Sequence, residues 1–81
     1  MINCNQHDYI EIACLYQLPI KLTLKSGAPI AATAIDTQRN DAKEECIKIK
    51  VGSDHQLIVL NDISTMQALI ANPHFDTISF S

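Results

Sequence analysis

At 81 residues the chain has room for one compact core, burying about 60–65% of its unfolded surface, and too little for a two-domain enzyme, an ordinary dinucleotide-binding fold or a repeat array. A composition 47% hydrophobic and 19% charged, with two glycines and three prolines, excludes a disordered or collagen-like chain. Nine acids against six bases give a net charge of −3, which argues against nucleic-acid binding through bulk positive charge.

The first element is a helix, predicted over about 6–16. Ile10, Ala13, Cys14 and Gln17 fall on one face at helical spacing, while Asp8 and Glu11 share the opposite side with Ile12 and Leu15. Asn5 is the expected N-cap, Asp8 suits the positive end of the helix dipole, and Pro19 stops the helix.

The rest reads as β. Residues 20–25 alternate apolar and polar, Ser26-Gly27 turns the chain, and Pro29 to Asp36 is a second, alanine-rich strand. The polar stretch Thr37 to Glu44 reads as a loop. Residues 46–51 alternate again and turn at Gly52-Ser53-Asp54. Leu57 to Leu60 is a short apolar strand expected to be covered on both sides. Ile63 to Ile70 fits either a strand or a helical turn, and Phe75 to Phe80 closes the chain as a last strand with both phenylalanines in the core. One N-terminal helix followed by five to six short antiparallel strands predicts a mainly β (α+β) fold. The strands, over about 20–81, form a small, strongly bent barrel capped by the helix, in a single domain over 1–81.

Three cysteines, Cys4, Cys14 and Cys46, are an odd number without tight spacing, so reduced thiols are expected, with Cys4 and Cys14 as small buried apolar groups. His7, His55 and His74 lie in different segments and no zinc spacing is present, so no metal or cofactor is expected. The first residues have neither a basic nor an apolar signal region, and no apolar run approaches a membrane span, which predicts a cytoplasmic protein.

Residues 1–20 hold Asp8 and Glu11 with no lysine or arginine. Residues 51–81 hold Asp54, Asp62 and Asp76, again with no lysine or arginine. Lys21, Lys25, Lys48 and Lys50 lie between. Taken alone, the acids are a solvated helix face and the lysines the wet side of two strands. The lysines also offer an RNA-binding face, weakened by the scarcity of aromatics, and a catalytic carboxylate pair at Asp8 and Glu11 lacks a perturbed environment.

Ile2-Asn3-Cys4, followed by Asp8-Tyr9-Ile10-Glu11-Ile12-Ala13-Cys14, resembles the opening of the Rho-binding antiterminator (Rof) family. Leu22 to Gly27 is similar to that family's first strand and glycine turn, Ala32 to Asp36 to its second strand, and Leu60-Asn61-Asp62-Ile63 to its break. The likeness spans nearly the whole chain. It implies an Sm-like barrel that binds the bacterial termination factor Rho at its N-terminal primary RNA-binding surface, excludes RNA and lowers Rho-dependent termination, without catalysis or cofactor. It also implies a free monomer with no nucleic-acid contact of its own, the alternative being an Sm-like RNA-binding module. The partner-binding residues it points to are Asn3, Asn5, Gln6, Asp8, Tyr9, Glu11, Ile12 and Leu15. Asn5, Gln6 and His7 stand where the family is richer in aspartate, which shifts weight from charge to hydrogen bonds and to Tyr9, Ile12 and Leu15.

Overall fold

A computed structural model describes residues 4–80, with side chains from Gln6 onward. The helix α1 runs Cys4–Leu15. Its inner face carries Ile10, Ala13 and Cys14, all buried, as their spacing requires. Two details differ from the sequence reading. The helix already includes Cys4, so Asn5 is a helical residue and not the N-cap. Asp8 therefore lies beyond the first turn, outside the reach of the dipole's positive end.

The helix stops before Pro19 acts. Gln17 takes a left-handed φ of 49°, its N–H bonds to the Cys14 carbonyl at 3.1 Å, and the Leu18 N–H bonds to the Ala13 carbonyl at 2.9 Å. This crossed pair satisfies carbonyls that the helix end would otherwise leave bare, and it buries Leu18 beneath the turn.

Six strands follow: β1 Pro19–Leu24, β2 Pro29–Arg39, β3 Glu45–Val51, β4 Asp54–Val59, β5 Ile63–Ala68 and β6 Thr77–Ser79. A 3-10 turn, Leu60–Asp62, joins β4 to β5. All neighbours pair antiparallel in the order β4-β3-β2-β1-β5-β6. The mainly β fold with one N-terminal helix is thus as expected. The sheet bends around one core of Ile10, Ile20, Leu22, Ile47, Ile49, Ile63 and Met66 with Phe75 and Phe80. Its strand order ends at β4 and β6, and no ladder among the described residues joins those two.

The bend is made by irregularities. β2 pairs with β1 over Pro29 to Thr33 and with β3 from Thr33 to Arg39, and the register shifts between Ala34 and Asp36. A second shift separates Thr23 from Leu24 against β5. Bulges of this kind kink a strand and sharpen its twist. β2 therefore runs three residues past the predicted Asp36, and Thr37 to Arg39 are strand, not loop. Ile63–Ala68 is a strand, which resolves that ambiguity. β4 is an edge strand: Leu57 is exposed and Ile58 and Val59 are half-buried, so it is not covered on both sides. The closing strand is shorter than expected, and the Asn72 side chain organises the loop before it by accepting from the N–H groups of His74 and Phe75. Gly52, at φ 63°, makes the tight β3–β4 turn possible.

An acidic groove between the helix and the second strand

Helix α1 packs on β2, and the two elements leave between them a groove of about 730 Å³. Its walls are Asp8, Glu11, Ile12, Cys14 and Leu15 from the helix and Ile35, Asp36 and Thr37 from β2. Three carboxylates thus border a largely apolar trough. Leu15 is 74% exposed, so its apolar surface lies open to a partner.

Of the residues singled out in the sequence, the groove brings together Asp8, Glu11, Ile12 and Leu15. Gln6 lies elsewhere: its Nε2 donates to the Ser79 carbonyl at 2.9 Å and ties α1 to β6. Tyr9 is half-buried against the core, with its ring edge-on to Phe75 at 5.9 Å and 67°. It belongs to the core margin and not to the groove. Asn3 lies outside the described residues, as does the side chain of Asn5. Tyr16, on the helix flank, stacks on His74 at 4.8 Å.

The third acid is one that sequence reasoning missed. Asp36 comes from the lysine-bearing middle of the chain, whereas Asp54, Asp62 and Asp76 do not line the groove. The only available signal was the likeness of the Ala32 to Asp36 segment. Strand alternation points elsewhere, because it would set Ile35, Asp36 and Thr37 on alternating sides. The bulge overrides that rule and brings all three to one groove. Asp36 is held by the Thr37 N–H, which donates to its Oδ1 at 2.8 Å.

The field of these acids reaches the core. Burial pushes the Cys14 thiol up to about 12, and the charges of Asp36 and Glu11 add to the shift. Cys46 is raised too, chiefly by burial. Both are free and buried and have no nucleophilic character at neutral pH.

A polar chain runs along one side. His7 Nδ1 lies 3.1 Å from Glu11 Oε1, His7 Nε2 lies 3.1 Å from Glu45 Oε2, and Arg39 Nη2 lies 3.5 Å from Glu45 Oε1. Arg39 is steadied by donating to the Lys43 carbonyl at 3.1 Å. This chain crosses from α1 to β3 and β2. Among the described residues no group of three or more His, Cys, Asp or Glu side chains is placed to hold a metal ion. Also among them, no helix is long and apolar enough to cross a membrane.

Residues 1–80 match the family model described as modulator of Rho-dependent transcription termination (ROF). No curated protein matches the chain. Among solved structures, YaeO bound to magnesium, from Vibrio cholerae O395, is similar at 47% identity with a TM-score of 0.88, over 91% of this chain and 96% of that one.

Proposed function

The chain belongs to the ROF family of modulators of Rho-dependent transcription termination, and on that premise we propose that it is a non-enzymatic inhibitor of Rho. It binds Rho at the N-terminal primary RNA-binding surface, blocks RNA loading and so antagonises termination in the cytoplasm. Each free monomer engages one Rho N-terminal domain, without cofactor and without contact to nucleic acid.

The observation that carries this reading is the groove, where Asp8, Glu11 and Asp36 border an apolar trough on an exposed helix face. A surface that reads RNA must attract phosphate and is therefore basic. A competitor needs negative groups at matching positions and enough apolar area to hold on once docked. The acids supply the first requirement; Ile12, Leu15 and Ile35 supply the second. Fully burying a side chain such as Leu15 contributes about 1.5–3 kcal/mol. With uncharged Asn5 and Gln6 in the sequence where the family is richer in aspartate, the apolar share is large and the complex tolerates salt better than a purely acidic mimic would.

The test is co-elution and titration with Rho, with Asp8 and Glu11 changed to lysine together. At about 1.5 kcal/mol for each close interfacial charge pair, the double variant is expected to bind about a hundred-fold more weakly. Equal binding by variant and wild type would refute the acidic-face mechanism. Gel shifts with oligo(C) and oligo(U) complete the test: a shift without Rho, steeply weakened by salt, would favour the RNA-binding alternative through Lys21, Lys25, Lys48 and Lys50.

A further inference from the structure

Among the described residues His7 is the one imidazole held between two carboxylates, and one of these borders the groove. We propose that His7 is a proton-operated clamp on Glu11: the protonated ring holds this carboxylate against the α1–β3 junction, and loss of the proton releases it to the partner. The proposal rests on the reading that the acidic face of α1 meets Rho.

A neutral imidazole has one N–H and one lone pair, and only the imidazolium donates from both nitrogens. His7 presents both nitrogens to carboxylate oxygens, each at 3.1 Å. Only the charged ring satisfies both contacts. A neutral ring sets a lone pair against a carboxylate oxygen at one end, and that end must open.

The surroundings decide which end opens. The charged and titratable groups facing His7 are Glu11 from α1, Arg39 from β2 and Glu45 from β3. Cys46, which lines the same recess, is kept neutral by burial. Glu45 has a second partner in Arg39, whereas Glu11 has no other ion pair among the described residues. Glu11 is also more than half exposed, so it is free to swing once released. With the proton in place, His7 and Arg39 balance Glu11 and Glu45. Without it, one negative charge is left uncompensated at the groove margin. A basic surface is therefore bound more tightly at higher pH.

Two measurements test it. In the free protein, NMR of the histidine ring nitrogens and of the Glu11 side-chain carboxyl is followed from about pH 5.5 to 8.5, in wild type and in His7→Gln. The expected result is a doubly protonated His7 ring at the acid end and a Glu11 signal that moves as His7 loses its proton, a movement absent from His7→Gln. Identical Glu11 behaviour in both proteins would overturn the clamp. The second measurement is affinity for Rho at about pH 5.8 and 8.0. Wild type should gain roughly five-fold at the higher pH relative to His7→Gln, the factor equivalent to one partly exposed ion pair of ~1 kcal/mol. Equal pH dependence of the two proteins would overturn the coupling to Rho. If neither binds Rho at either pH, the functional reading fails, and the NMR comparison still decides the clamp.

Discussion

Replacing Ile10 with alanine should unhook the helix from the sheet. Ile10 is fully buried and is the only large aliphatic side chain of α1 in the core; Ala13 and Cys14 beside it are small. Removing a buried isoleucine side chain beyond Cβ costs about 2–5 kcal/mol, combining lost transfer energy with the cavity left behind. A domain of this length holds roughly 4–12 kcal/mol in total, so the variant loses a large fraction of its stability. For 60–100 residues each kcal/mol moves the melting temperature by about 4–8 °C, and a mid-range loss of ~3 kcal/mol predicts a fall of roughly 12–24 °C. The helix has 12 residues, a length at which isolated helices are marginal in water, so an undocked α1 should also unravel. Far-ultraviolet circular dichroism during heating reads both effects: ellipticity near 222 nm should fall before the β signal does. A melting point within about 4 °C of wild type, with the helical signal intact, would mean that Ile10 is not the anchor and that α1 docks differently.

Two further outcomes follow from the local geometry. Gln17→Gly should stabilise the protein by about 0.5–1 kcal/mol in urea unfolding, because Gln17 sits at φ 49°, where a Cβ is strained and glycine is not. Cys14 makes stability fall at alkaline pH. Its thiol is raised from 9.0 to about 12 in the fold, so above pH 9 the unfolded chain loses a proton that the folded chain keeps, and unfolding becomes easier until about pH 12. Cys14→Ala should flatten that decline in denaturant titrations across this window; an unchanged slope would refute the assignment.

Much of this molecule can be read from local pattern. The Ile10, Ala13 and Cys14 face is visible because helical spacing brings those residues together, and β1 and β3 because apolar and polar residues alternate. The unread parts are those where a long-range contact or a bulge overrides the local rule. Ile63 and Met66 are both buried yet three residues apart, a spacing that mimics a helix and arises because the register against β1 slips there. Thr37 to Arg39 look like a loop because they are polar, but they continue the ladder with β3 in a part of β2 that β1 no longer covers. Leu57 to Leu60 look like an interior strand because they are apolar, although Leu57 to Val59 belong to β4 at the sheet edge and Leu60 opens the 3-10 turn. Of the groove, the helical half was visible as one face, while the half contributed by β2 depends on a bulge that alternation cannot signal. The link from His7 to Glu45 spans distant segments and has no sequence signature at all.

The bulge in β2 has a consequence for how other members of the family can be compared. Ala34 pairs with Ile49 and Asp36 pairs with Lys48, so Ile35 is the one residue that the ladder does not use. A relative shorter by that single residue would keep every pairing partner and the whole core. It would lose Ile35, the apolar side chain that β2 gives the groove, and the turn of the strand that aims Asp36 into it. Strand length at this position, more than side-chain identity, is then the character to compare: two chains can share a fold and diverge in partner through one missing amino acid.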